Sequence, residues 1–239
     1  MNLDLLRIPT GENDVAVLRY EARRPRGITI VAGHGYSSSK HNLDFLCAFL
    51  AAHGCTVWSL DFPGHKLGAS GGRLRGIDDC VAAMRAVVDA AWDRDGGTLY
   101  TMGHSMGAMT AVFTAAVDER PAGAIAIATG YGRPTALETL RRAGTTSFRS
   151  EYVVGVTLPE LVRDADVRFD TFLPRLAGKH SLYIAASRDA MVHPRSVREL
   201  YERAPHEKSF ATIESDHTYA AEHARAAVLQ WLDERHPRG

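Results

Sequence analysis

The sequence has 239 residues and is 45% hydrophobic, which is enough for one domain with a sizeable core. Its 28 lysines and arginines balance its 28 aspartates and glutamates, so charge favours neither nucleic acid nor an anionic membrane as a partner. The three cysteines, Cys47, Cys55 and Cys80, are odd in number and lack metal-ligand spacing, which predicts buried thiols in a reducing compartment. With no leader pattern and no run of roughly 18 apolar residues, we expect a soluble cytoplasmic protein without a membrane span.

The first part of the sequence alternates between strand and helix patterns. Residues 3–9 and 15–20 are partly alternating apolar runs separated by the turn-rich stretch 10–14, which predicts an antiparallel hairpin. Residues 27–32 form a continuous β-branched run, typical of a strand buried on both faces of a parallel sheet. Residues 42–53 then place their apolar side chains on one helical face, so we predict a helix there.

The same alternation continues to the C-terminal end. It predicts an α/β fold with a doubly wound, mostly parallel sheet, whose binding site lies beyond the carboxyl ends of the strands. The predicted strands are 56–62, 99–102, 122–129, 181–186 and 208–213, and the predicted helices are 76–92, 108–117, 194–203 and 219–234.

One long connection interrupts this alternation of strands and helices. About fifty residues separate the strands ending at Thr129 and starting at Ser181, far more than an ordinary connection needs. Two stretches within it, 135–138 and 157–160, fit the capping-box pattern of a helix start. We predict a small helical cap over residues 131–175, inserted into a core made of residues 1–130 and 176–239. The alternative is an extended segment that runs over the protein surface.

Residues 103–107 read Gly-His-Ser-Met-Gly between a strand pattern and a helix pattern. That context is typical of a nucleophile elbow, in which a strained turn presents a serine. Glycines two residues either side leave room for the turn, so Ser105 is the candidate nucleophile. The alternative is a solvated serine in a glycine-rich turn.

A serine nucleophile needs a base, and the base needs an orienting group. His217 is the candidate base because it follows the last predicted strand, whereas His104 is expected to point away from Ser105. Other histidines, such as His53, His206 and His223, are expected at the surface or at helix ends.

Asp189 directly follows a predicted strand and lies between Ser105 and His217 in chain order, so it is the candidate orienting carboxylate. Capping the helix near Pro194 is its alternative role. Asp216 directly precedes His217, so its side chain would have to fold back awkwardly to orient that imidazole. The carboxylates that remain possible are Asp166 and Asp170.

Acyl transfer also needs donors for the oxygen that becomes negative. The backbone N–H of Met106, next to the nucleophile, is one candidate. The other is the N–H of Tyr36, in the loop after the strand at 27–32, where Gly35 permits close backbone approach. The Tyr36 ring is expected to line an acyl pocket, with a packed loop aromatic as the alternative.

Taken together, these ordered motifs resemble those of the α/β-hydrolase superfamily over essentially the whole chain. The motifs are His34-Gly35, residues 61–64 with His65, residues 103–107, Asp189 and His217. The resemblance implies a mostly parallel sheet of about eight strands, a Ser-His-Asp triad, and an acyl-enzyme mechanism without metal or cofactor. Small esterases similar to monoacylglycerol lipases and feruloyl esterases are the nearest in pattern. Their common D-x-x-G-H-G-x-S stretch is altered here, because Lys66 replaces a glycine and two extra residues precede Ser70.

The substrate depends on the predicted cap. Residues 131–150 contain four arginines, at positions 133, 141, 142 and 149, and one acid, Glu138. This excess of positive charge is compatible with an anionic substrate such as a coenzyme A or acyl-carrier-protein thioester. Because five acids follow closely in 151–170, the sequence favours a mixed, solvated surface over an anion-binding one. The candidate substrate-binding residues are Tyr36, His104, Tyr131, Leu137 and Phe148.

Three functions therefore stand open at this point. The first is hydrolysis of a small or acyl-chain carboxylic ester, and the second is release of acyl or polyketide chains from a thioester. The third is a ligand-binding or non-hydrolytic protein that kept the fold.

Overall fold

The computed structural model describes residues 1–11, 13–132 and 149–238. Eight strands form one sheet in the order β1-β2-β4-β3-β5-β6-β7-β8. The two pairs that involve β2 are antiparallel, and all the other pairs are parallel. The strands are β1 (Asn2–Pro9), β2 (Asp14–Glu21), β3 (Ile28–Gly33), β4 (Cys55–Leu60), β5 (Thr98–His104), β6 (Pro121–Ile127), β7 (His180–Ala186) and β8 (Glu207–Ile213). The predicted fold class and its N-terminal hairpin are both confirmed.

Helices cover both faces of this sheet. They are α1 (Asp44–Ala52), α2 (Ile77–Asp95), α3 (Met106–Val117), α4 (Leu158–Phe172), α5 (Pro194–Arg203), α6 (Ala220–His223) and α7 (Arg225–Arg235). One core layer lies between the sheet and α2, α3, α4 and α5, and the other lies between the sheet and α1, α6 and α7. All six residues of β3 are buried, which explains why its sequence has no polar face.

The long connection after β6 is described only from residue 149 onward. Its helix α4 begins at the capping box predicted for 157–160, where the Thr157 amide and hydroxyl each donate to a Glu160 carboxylate oxygen at 2.8 Å. The Phe169 ring lies 4.9 Å from the ring of Phe113 on α3, so α4 packs on the core. The capping box predicted at 135–138 lies outside the described residues. A separate cap over 131–175 stays a prediction.

Several details differ from the sequence-based expectations. The closing helix is interrupted at Ala224, which ends α6 and precedes α7. His206, expected at the surface, is only 8% exposed and packs near the Tyr183 ring.

The three cysteines are free and buried, as predicted. Among the described helices, none combines the length and apolar character that crossing a bilayer requires.

Burial of His206 makes stability sensitive to acid. Burial lowers its pKa from 6.5 to about 4, and the charges of Lys208 and His180 act in the same direction. Between these two values the unfolded chain binds a proton that the folded chain does not, so the free energy of unfolding falls as pH falls. We expect the urea midpoint to drop between about pH 7.5 and pH 5. The drop should be smaller in His206→Phe, and equal drops in both proteins would contradict this account.

Candidate active site

Ser105 lies in a sharp turn between β5 and α3. Its φ of 54° and ψ of −110° are unusual for a residue other than glycine. Backbone bonds hold the turn, because the Ser105 amide donates to the Ile127 carbonyl at 2.9 Å and the Ser105 carbonyl accepts from the Met109 amide at 3.2 Å. The strain is therefore fixed by the sheet and the helix, as is common at functional sites.

The two flanking glycines are required by close backbone contacts. A Cβ on Gly103 would lie 2.2 Å from the Gly107 carbonyl carbon, and a Cβ on Gly107 would lie 2.0 Å from the Gly33 carbonyl oxygen. Neither contact can be relieved by a side-chain rotation, because both partners are backbone atoms. The steric reason that the sequence suggested for the G-x-S-x-G spacing holds in this structure.

His217 lies in the loop that follows β8, and its imidazole contacts the serine. Its Nε2 lies 3.1 Å from the Ser105 Oγ, and its Nδ1 lies 2.7 Å from an Asp189 carboxylate oxygen. A carboxylate can only accept, so this contact favours a proton on Nδ1 and leaves Nε2 free to accept the serine proton.

Asp189 lies in the loop after β7, and its carboxylate is wholly buried. One oxygen accepts the Met191 and Val192 amides at 2.8 and 2.7 Å, while the other faces His217. Asp189 does not cap α5, since the cap is the side chain of His193.

The alternative carboxylates have other partners. Asp216 accepts the Tyr219 amide, Asp166 accepts the Gly132 amide, and Asp170 accepts the Tyr131 hydroxyl.

Two backbone segments approach Ser105 closely. Met106 is the first residue of α3, where an amide has no acceptor within the helix and where the helix dipole is positive. Gly35 lies against the serine, because a Cβ built on Gly35 would be 3.5 Å from the Ser105 Cβ and 3.2 Å from the His104 Nδ1. The next peptide unit, which carries the Tyr36 amide, is therefore adjacent to the nucleophile.

A cavity of about 320 Å³ opens above Ser105. Tyr36 and His104 line it, and the His104 ring lies 4.8 Å from the His217 ring. The sequence missed most of the other lining residues, although Thr218 and Met191 adjoin the predicted His217 and Asp189 motifs. The remaining described lining residues are Gly35, Ser37, Ser38, Asn42, Leu43, Arg149, Leu158, His217 and Ala221.

Tyr131 is not among the described lining residues, and its predicted contact with substrate stays a prediction. Its hydroxyl donates to Asp170 at 3.0 Å, and the Arg203 guanidinium lies 3.8 Å from its ring centroid. These contacts hold the ring against α4 and α5. The other two predicted substrate residues, Leu137 and Phe148, lie outside the described residues.

The altered loop at 61–70 is tied to the segment that follows the undescribed range. The Lys66 ammonium donates to the Glu151 carbonyl at 2.7 Å, and its amide donates to the Tyr152 carbonyl at 2.9 Å. The Tyr36 hydroxyl donates to the Val156 carbonyl of the same segment at 2.9 Å. The lysine that departs from the family pattern therefore holds residues 151 and 152, which follow the lining residue Arg149 in the chain.

The family model described as "Serine aminopeptidase, S33" (Hydrolase_4) matches residues 23–168. The chain belongs to this family of α/β hydrolases. A search of curated proteins gives no match for the hydrolase. In the described ranges, no group of three or more His, Cys, Asp or Glu side chains is arranged to hold a metal ion.

Solved structures similar to the hydrolase share its whole architecture. Ferulic-acid-bound Est1E from Butyrivibrio proteoclasticus is 19% identical with a TM-score of 0.76, covering 96% of the hydrolase and 98% of Est1E. The esterase Pf2001 from Pyrococcus furiosus is 19% identical with a TM-score of 0.72, covering 98% and 90%. The thioesterase domain from the curacin biosynthetic pathway is 15% identical with a TM-score of 0.68, covering 97% and 99%. At these identities the likeness establishes the fold.

Proposed function

We propose that this hydrolase cleaves a carboxylic ester of a small or acyl-chain substrate through an acyl-enzyme on Ser105. The observation that carries the proposal is the continuous contact from the Ser105 Oγ through both His217 nitrogens to the buried Asp189 carboxylate. Nucleophile, base and orienting group stand in the order that serine catalysis needs.

In the proposed reaction, His217 Nε2 takes the hydroxyl proton as the Ser105 Oγ bonds to the substrate carbonyl carbon. Asp189 stabilises the resulting imidazolium. The amides of Tyr36 and Met106 donate to the oxyanion, each contributing roughly 3 kcal/mol to transition-state stabilisation. His217 then protonates the leaving alcohol, and a water molecule activated by the same nitrogen releases the acid and restores Ser105.

The residues that line the cavity support an ester substrate and not a peptide substrate bound by its N-terminus. An aminopeptidase has to hold the substrate's ammonium group, which calls for a carboxylate. None of the described lining side chains is acidic, and one of them, Arg149, is cationic. The apolar side chains of Leu43, Leu158 and Met191 suit an acyl group instead.

A thioesterase is the second candidate. Arg149 at the cavity is the kind of residue that would receive a phosphate of coenzyme A or of a carrier-protein arm, and the curacin thioesterase domain has the same fold. Comparing turnover of p-nitrophenyl esters with that of acyl-coenzyme A and of an acylated carrier protein separates the two. A higher kcat/KM for the thioesters would select this candidate.

Covalent labelling by a fluorophosphonate probe tests whether the serine is activated at all. We expect stoichiometric labelling at Ser105 in the wild type, and labelling at least about 100-fold slower in His217→Ala, because the probe needs an activated hydroxyl. His223→Ala is the matched control, since His223 contacts Ser215 at 3.0 Å and not Ser105. A wild-type protein that resists the probe would favour a non-hydrolytic, ligand-binding role.

We also propose that the protein works in the cytoplasm. The three free, buried cysteines support a reducing compartment. Cell fractionation with antibody detection tests this location, and recovery in a secreted fraction would contradict it.

A further inference from the structure

His34 is wholly buried between the end of β3 and the loop that follows β4. Its Nδ1 lies 2.7 Å from the carbonyl oxygen of Gly35, and its Nε2 accepts the backbone amide of Phe62 at 3.0 Å. It is not one of the described cavity-lining residues. The proposed reaction gives it no role, although it precedes the peptide that lies against Ser105.

Both partners of His34 allow only one arrangement of its proton. A backbone amide can only donate, so Nε2 carries no proton, and a carbonyl can only accept, so Nδ1 carries one. The carboxylate of Asp61 lies 4.0 Å from Nε2 and is already occupied, because the Lys40 ammonium and amide donate to it at 2.6 and 2.7 Å. His34 is thus a neutral imidazole with a fixed tautomer, consistent with the effect of burial, which lowers its pKa.

The bond from Nδ1 controls a second group. The Gly35 carbonyl and the Tyr36 N–H belong to one peptide unit, and in a trans peptide the two point in opposite directions. A hydrogen bond that fixes the carbonyl on the His34 side therefore fixes the N–H on the other side.

We infer that His34 is a positioning residue that aims the Tyr36 amide at the developing oxyanion by holding the Gly35 carbonyl. The inference rests on the proposed function, because that amide is a catalytic donor only if Ser105 is the nucleophile. Without the bond, the peptide unit is free to rotate, and the preorganisation that makes an oxyanion donor effective is lost.

Two substitutions separate the two contacts of His34. In His34→Asn, the side-chain amide stands near the Nδ1 position and can still donate to the Gly35 carbonyl. In His34→Gln, the longer side chain reaches the Nε2 position, so its oxygen can still accept the Phe62 amide while the bond to Gly35 is lost.

We expect His34→Asn to keep kcat for a p-nitrophenyl ester within about threefold of the wild type, and His34→Gln to lower kcat by about 10- to 100-fold at unchanged KM. Affinity for a trifluoromethyl ketone transition-state analogue should fall in parallel with kcat. Equal activity of the two variants, or a lower activity of His34→Asn, would overturn the inference, since a merely structural anchor depends on the Phe62 contact.

His65→Gln is the matched control, because the His65 ring is also buried and lies 4.8 Å from the His34 ring, but its Nδ1 lies 3.0 Å from the Pro63 carbonyl oxygen instead of the Gly35 carbonyl. It should keep the wild-type kcat. If the His34 variants do not fold, ¹⁵N NMR of the wild type decides: a proton on Nδ1 supports the inference, and a proton on Nε2 overturns it. Fluorophosphonate labelling of the wild type reports separately on the proposed function.

Discussion

Ser105→Ala is expected to lower kcat for a p-nitrophenyl ester by at least about 10³-fold, to the level left by binding and oxyanion donors alone. In the proposed mechanism, the substitution removes the oxygen atom that bonds to the substrate carbonyl carbon. KM should change little, because the cavity walls and the two backbone donors are untouched. Steady-state kinetics on the purified variant, with the wild type at the same concentration, measures both parameters.

The fold should tolerate this change. The backbone bonds of Ser105 to Ile127 and Met109 do not involve the hydroxyl, and alanine bears the same φ strain as serine. Ser215→Ala is a matched control, because Ser215 is also buried and its hydroxyl contacts His223 rather than His217. Turnover retained in Ser105→Ala at an unchanged melting temperature would remove the serine from the proposed mechanism.

Buried strands were the part of the fold most readable from sequence. A strand such as β3, covered on both faces by helices, has to be apolar at every position, so its composition marks it unambiguously. Helix ends are harder to predict. The closing helix continues its apolar pattern through Ala224, and nothing local indicates that the backbone changes course there.

The proximity of Ser105, Asp189 and His217 could be predicted, because each follows a strand and the topology brings those strand ends together. Side-chain partners were not. Tyr131 follows β6 as expected, but Asp170 and Arg203, from α4 and α5, decide where its ring lies. Contacts between residues so distant in the chain leave no trace in local composition.

The buried pair of Lys40 and Asp61 illustrates the same limit. A lysine in a serine-rich loop is normally exposed, whereas here its ammonium lies 2.6 Å from a carboxylate that is wholly buried. Burial alone would raise the Asp61 pKa, but hydrogen bonds from Lys40 lower it below its ordinary value. Such a pair becomes visible only when two loops, at 36–43 and 61–70, are seen side by side.

Asp189→Asn should be nearly as damaging as loss of the serine, at about 10³- to 10⁴-fold in kcat. The amide oxygen can keep accepting the Met191 and Val192 amides, which turns the NH₂ group toward the Nδ1 of His217. An NH₂ group donates, so Nδ1 has to lose its proton, and the proton moves to Nε2. A protonated Nε2 cannot take the proton of Ser105.

The wrong tautomer, rather than unfolding, is thus the expected cause, and the melting temperature should stay close to that of the wild type. Asp216→Asn is the matched control and should keep kcat within about twofold, because its carboxylate caps the turn at Tyr219 instead of contacting His217. Comparing the two variants also decides whether the Asp189 or the Asp216 carboxylate orients His217. If Asp216→Asn lost activity while Asp189→Asn kept it, the orienting role would pass to the residue beside the base.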